Sequence, residues 1–182
     1  MKKNRNFIAN GILWSSCREY HKEILLELSK MSKIQQIVIY DLKDDYSTFI
    51  IECYKHDEDV MSDGYIDEKI NRLLQDENAR IVAFSLIIKN PQYKYDKNDN
   101  LQCIQARKIK ELLRKTFSGK IHNYFLDNII HLSDSPKESK ILEKVFTKYD
   151  RYASKGYLIK GCIPNYAKKI YKENGYSNLN ER

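Results

Sequence analysis

The stretch that most constrains the fold is Arg80-Ile-Val-Ala-Phe-Ser-Leu-Ile-Ile88, which is apolar at nearly every position. A strand with one face in water alternates apolar with polar residues, whereas an unbroken apolar strand is buried on both faces. This segment therefore reads as the central strand of a sheet. Two other segments supply neighbours. Phe7 to Trp14 reads as a first strand, bulged around Asn10-Gly11. Ile34 to Leu42, rich in β-branched residues, reads as a second.

Helical periods fill the gaps. After Ser15-Ser16, which offer a cap, Tyr20, Ile24, Leu25, Leu28 and Met31 recur at helical spacing and give one buried stripe. Tyr46 to Tyr54 is ambiguous. Its composition suits a strand entered through a hairpin turn at Lys43-Asp44-Asp45, yet Tyr46, Phe49/Ile50 and Cys53/Tyr54 recur every three to four residues. Periodicity outweighs β-propensity, so a helix is favoured. Ile66, Ile70 and Leu73/Leu74 mark a further short helix. Asn90 to Asn100, polar and holding Pro91, reads as a loop, and Leu101 to Phe117 as a strongly basic helix ended by Ser118-Gly119.

With 182 residues and neither an internal repeat nor a low-complexity linker, one domain is expected over residues 1–182, with a core at 7–146 and a basic, tyrosine-rich extension at 150–182. Helical spacing recurs in that extension around Tyr166, Ile170 and Tyr171. No apolar run approaches the roughly 18 residues needed to span a bilayer, and the basic N-terminus lacks the unbroken apolar segment of a signal peptide. Cys17, Cys53, Cys103 and Cys162 are isolated, which suits reduced thiols in a cytoplasm. The formal net charge of +7 favours anionic partners without choosing among nucleotides, nucleic acid and phosphorylated small molecules.

The most specific signal is Asn128-Ile129-Ile130-His131-Leu132-Ser133-Asp134-Ser135, followed by Pro136-Lys137-Glu138. A short apolar strand ends in a histidine and runs straight into a helix start. Ser135 can cap that helix, Pro136 fits its first position, and Glu138 stands three residues on, as in a capping box. An imidazole is thereby placed beside hydroxyls and backbone N–H groups able to receive a phosphate.

This octet resembles the active-site segment of nucleoside diphosphate kinases, Asn-(apolar)-(apolar)-His-Gly-Ser-Asp-Ser, with Leu132 in place of the glycine. The order of elements from about Phe7 to Phe146 is also similar to that family's. The resemblance implies an α+β fold, a ferredoxin-like four-stranded antiparallel sheet covered by helices. It implies that His131 is the nucleophile that becomes phosphorylated. Arg80-Ile-Val-Ala-Phe84 resembles the family's third core strand, and Ala106-Arg107-Lys108 the segment whose arginine clamps nucleotide phosphates. Tyr65 stands where the family has an aromatic that stacks on the base. Lys120 or His122 replaces a phosphate-binding arginine, and Glu143 lies close to the glutamate that orients the histidine. The family's Lys-Pro-Asp after the first strand is here Trp14-Ser15-Ser16-Cys17, without a lysine.

The resemblance thus implies a phosphotransferase acting on nucleoside di- and triphosphates, with Mg²⁺ arriving on the nucleotide and a homo-oligomeric assembly. Neutral imidazole is a competent nucleophile toward phosphorus at pH 7. Arg107 would clamp phosphates, Ser133 bind donor oxygens, Asn128 a sugar hydroxyl, and Glu143 hold the tautomer. Two other readings fit the same residues: an inactive nucleotide- or partner-binding module of this fold, and a nucleic-acid binder using the basic helix and the tail. His21 and His56 read as surface residues. Cys17 and His21, at i and i+4, have metal-ligand spacing but no third ligand in view.

Overall fold

The computed structural model describes residues 6–57, 61, 64–75, 79–97, 99–122, 124–125 and 128–154. Strand β1 (Phe7–Leu13) leads through a 3₁₀ segment (Ser15–Tyr20) into α1 (His21–Met31), then β2 (Lys33–Asp41), α2 (Tyr46–Tyr54), α3 (Tyr65–Leu74) and β3 (Arg80–Ile88). A hairpin of β4 (Tyr93–Tyr95) and β5 (Leu101–Cys103) precedes α4 (Ile104–Phe117), and β6 (Ile130–Leu132) runs into α5 (Pro136–Lys148). The main sheet has the order β2-β3-β1-β6, antiparallel throughout, which is the ferredoxin-like arrangement.

The apolar run of β3 is central, as its composition requires, and both its faces are covered. Val82, Phe84, Leu86 and Ile88 meet Ile24, Leu25 and Leu28 of α1 and Ala106, Ile109 and Leu113 of α4. Ile81 and Ala83 face the other way, into a second core built by α2, α3 and α5 with Phe49, Ile66, Leu73 and Leu142. Strand β1 divides in the same manner: Phe7, Ala9 and Leu13 join the first core, and Ile12, with Trp14 just beyond the strand, the second. The irregularity lies in β2, between Ile34 and Gln36, and not at Gly11, where pairing with β3 is continuous. That extra residue lets Ile34, Ile37 and Ile39 share one face.

The ambiguous segment is a helix: Tyr46, Phe49, Ile50, Cys53 and Tyr54 are all buried along it. The segment read as a loop differs. Tyr93–Tyr95 pairs with Leu101–Cys103, which reads from sequence as the first turn of the basic helix. The hairpin is closed by a turn in which the Asp96 carboxylate accepts from the Asn100 and Gln102 side-chain amides and the Asn100 N–H. Side chain-to-backbone bonding at Asp and Asn sets such turns, and composition alone reads as coil. Ser15 and Ser16 do not cap α1. Ser15 Oγ meets the Tyr46 hydroxyl at 2.9 Å, and Ser16 Oγ donates to the Asn128 carbonyl. His21 is buried, not a surface residue, with Nε2 2.8 Å from the Trp14 carbonyl.

Candidate functional site

His131 is the middle residue of the three-residue strand β6, paired with Ile12 of β1. Its flanking residues Ile130 and Leu132 point into the first core, so alternation sends the imidazole into the second. Two features hold that short strand against β1. Gly11 lies opposite Leu132, and a Cβ on it would stand 2.4 Å from the Phe84 ring and 2.9 Å from the His131 carbonyl oxygen. Only glycine allows β3's phenylalanine and β6's backbone to approach that closely. On the far side, the Arg114 guanidinium donates to the Ile130 carbonyl at 3.0 Å.

Beyond the strand, Asn10 ties the chain down. The Ser133 N–H donates to the Asn10 carbonyl at 2.8 Å, and the Asn10 N–H donates back to Ser133 Oγ at 2.9 Å. The Asn10 side chain donates to the Ser139 carbonyl and accepts from Ser85 Oγ, linking β1, β3 and α5 in one buried network. Helix α5 starts as its sequence signals: Ser135 Oγ accepts from the Glu138 N–H at 3.1 Å, and Glu138 Oε2 accepts from the Asp134 N–H at 2.9 Å.

That capping box aims Glu138 at the imidazole. Its Oε1 lies 3.1 Å from His131 Nε2, an approach off the line of a well-directed hydrogen bond and therefore mainly electrostatic. Burial lowers the His131 pKa below 6.5, against the opposing pull of Glu138, so the ring is neutral at pH 7. Burial alone would raise the Glu138 carboxyl, yet its contacts with His131, Lys110 and the Asp134 N–H bring it down to about 2. The tautomer that suits this pair carries its proton on Nε2 and leaves the Nδ1 lone pair free for chemistry.

The rest of the surround is aromatic and cationic. The Tyr54 ring packs edge-on to His131, centroids 4.8 Å apart, and stacks on Trp14 at 6.2 Å. The Lys69 ammonium, wholly buried, lies 4.9 Å from the Tyr54 ring, 5.3 Å from Trp14 and 5.9 Å from Tyr65. His131 itself is 6% exposed. Tyr65 in turn packs against Phe125, whose ring also receives Arg72 at 4.4 Å, so the α2–α3 hairpin rests on the turn before β6.

The residues singled out from sequence are spread over both faces of the sheet. Tyr65 opens α3, its ring against Phe125 and near Lys69, while the ring against the imidazole is Tyr54. Asn128 builds the preceding turn, its Oδ1 accepting from the Phe125 N–H at 3.3 Å, and Ser133 is fully buried in the Asn10 network. Glu143 lines a separate cleft of about 470 Å³, bounded by Asn10, Gln36, Tyr40 and Ser139. Arg107 is on α4, across the sheet, held by Glu111 and Gln102 at 2.8 Å each. Lys120 pairs with Glu23 at 3.4 Å, and His122 is exposed. The tail residues Tyr166, Ile170, Tyr171 and Cys162 lie outside the described residues. Sequence reasoning missed Lys69 as a neighbour of the imidazole and gave Glu138 only a capping role. The signal was there for Lys69, which stands three residues after Ile66 and four before Leu73, on the apolar stripe itself. Among the described residues no three metal-ligating side chains cluster, and none of the helices is long and apolar enough to cross a membrane.

The architecture is that of the nucleoside diphosphate kinases, and solved structures of that kind superpose on it. The nucleoside diphosphate kinase of Aquifex aeolicus matches with a TM-score of 0.53 and 13% identity, over 85% of this chain and 100% of the other. That of Borrelia burgdorferi, solved with bound vanadate and ADP, matches with a TM-score of 0.50 and 10% identity, over 94% of this chain and 98% of the other. No protein-family model and no curated protein matches the sequence. The likeness is therefore one of fold.

Proposed function

We propose that this protein is a phosphotransferase. It moves the terminal phosphate of a nucleoside triphosphate through a phosphohistidine at His131 to a nucleotide or another phosphate acceptor. The observation that carries the reading is the imidazole in the middle of the short edge strand β6, with Nε2 set against Glu138 at 3.1 Å. In the forward step the Nδ1 lone pair forms the N–P bond, while the P–O bond breaks and its electron pair leaves with the nucleoside diphosphate. The ring gains positive charge as Nδ1 gives up its pair, and the Glu138 carboxylate neutralises it. An acceptor oxygen then takes the phosphoryl group in the reverse sense. Mg²⁺ would enter on the nucleotide's phosphates.

Tyr65 and Phe125, whose rings are in contact, are the rings a base would meet. Arg107, Lys120 and His122 would reach a nucleotide's phosphates only from outside this closed surround, and Glu143 stands away from the imidazole. We place the protein in the cytoplasm, in keeping with the free, buried thiols of Cys17, Cys53 and Cys103 among the described residues, and propose one domain and a homo-oligomer. Incubation with γ-labelled nucleoside triphosphate and Mg²⁺ should give an acid-labile, alkali-stable label that His131→Ala abolishes. No label from any of the common nucleotides rejects the reading.

One observation favours a second reading, an inactive nucleotide- or partner-binding module. The imidazole is enclosed, and Trp14 stands where a phosphate-binding lysine would be expected. ADP binding by calorimetry with no transfer would select it. The nucleic-acid reading loses ground on α4, where Arg107, Lys110 and Arg114 are engaged by Glu111, Asp134 and the Ile130 carbonyl. Binding to single strands that weakens steeply with salt would restore it.

A further inference from the structure

We propose that Lys69 of α3 supplies the positive charge against which the phosphoryl group on His131 is held, an inference that rests on the phosphohistidine reading. Its ammonium is wholly buried on a helix stripe otherwise made of Ile66, Ile70 and Leu73. Taking an ammonium out of water is costly, and an apolar residue at this position would serve packing better. The aromatic rings of Trp14, Tyr54 and Tyr65 hold it in place, with Nζ 4.9 to 5.9 Å from their centroids. The same Tyr54 ring touches His131, so cation and imidazole share one neighbour. Their fields also meet: Lys69 is among the charges that depress the His131 pKa, with Lys110, against Glu138.

The chemistry calls for such a group. Phosphoryl transfer asks mainly for positioning and for positive charge beside the phosphoryl oxygens, most effective where water is excluded. Glu138 occupies the Nε2 side and is negative, so it repels a phosphate and cannot serve. Arg107 is held by Glu111 on the opposite face of the sheet. Lys69 reaches the second core from α3, and the aromatic ring at Trp14 forms one wall of its cage. The cation thus comes from a helix, and β1 contributes only the surface it rests on.

The test compares wild type with Lys69→Met and Lys69→Arg, using two phosphate donors. With γ-labelled nucleoside triphosphate, Lys69→Met should slow labelling of His131 by about 100-fold or more, and Lys69→Arg should recover part of the loss. The melting temperature and circular dichroism of both variants are read beside the rates, so that each rate is set against the fraction of folded protein. Labelling within threefold of wild type overturns the inference, and so does a loss of rate that follows a loss of folded protein. The second donor is phosphoramidate, which phosphorylates histidine without a nucleotide. The ³¹P resonance of the phosphohistidine should then titrate about one pH unit higher in Lys69→Met, because a neighbouring cation favours the dianion. Identical titrations overturn the inference. A shift seen in protein that takes no label from nucleotides supports it while rejecting the nucleotide-dependent function, and no phosphohistidine from either donor rejects both.

Discussion

At the scale of single residues the site depends on pairs. Glu138 serves two partners with two oxygens: Oε2 takes the Asp134 N–H, and Oε1 meets the imidazole. A Glu138→Gln substitution keeps an oxygen for the cap but removes the charge that balances the ring. On the phosphotransferase proposal, labelling of His131 should slow by about 10- to 100-fold, as for other carboxylates that orient an imidazole, while helix content by circular dichroism stays unchanged. Asn10 is the structural counterpart. Its side chain spends both ends inside the protein, donating to the Ser139 carbonyl and accepting from Ser85 Oγ. Asn10→Leu matches its volume but orphans those groups, so urea denaturation should show a loss of about 1–3 kcal/mol.

At the scale of elements, the shortest strand carries the imidazole. Three residues make few ladder bonds, so β6 depends on what presses on it. Gly11 is the most sensitive contact, with a Cβ there falling within 3 Å of both the Phe84 ring and the His131 backbone. Gly11→Ala should cost about 1–3 kcal/mol and move the His131 backbone amide resonance more than that of any residue in α1. Helix α5 follows another rule. Its start is local, written in Ser135, Pro136 and Glu138, and Ser135→Ala should cost about 1 kcal/mol in thermal unfolding. The sequence showed this start because capping is a short-range matter. The β4–β5 hairpin was not legible, since its strands are exposed and short and the Asp96 turn bonds through side chains that also suit coil.

At the scale of the whole molecule, stability should depend on pH in two stages. His21, buried against the Trp14 carbonyl, has its pKa lowered to about 4, chiefly by burial. Between pH 6.5 and about 4 the unfolded chain binds more protons at this position, so stability falls as pH drops. His131 is lowered in the same direction and adds to that loss. Glu138, near 2 when folded, binds protons first in the unfolded chain between about 4.5 and 2, giving a further fall. The His21 share is roughly 3 kcal/mol at most. Urea midpoints at pH 7.5, 5.5 and 4 should decline in wild type, and more shallowly in His21→Gln, whose amide can still donate to Trp14. An equal decline in both would show that His21 is not titrating this way.

The chain by itself determined its main sheet and the start of α5. An apolar run at Arg80–Ile88 has to be covered on both faces, and a helical period at Tyr46–Tyr54 has to bury one side, whatever the neighbours are. It also determined that a histidine lies in a short strand just before a capped helix, although Leu132 and not the histidine ends that strand. Which groups surround that histidine was decided by the fold alone. Lys69 is 62 positions away in sequence and Tyr54 is 77, and only the packing of α2 and α3 over β6 brings them to the ring. Periodicity reports which face of an element is inward. It carries no record of which other element that face will meet, because that choice belongs to long-range packing.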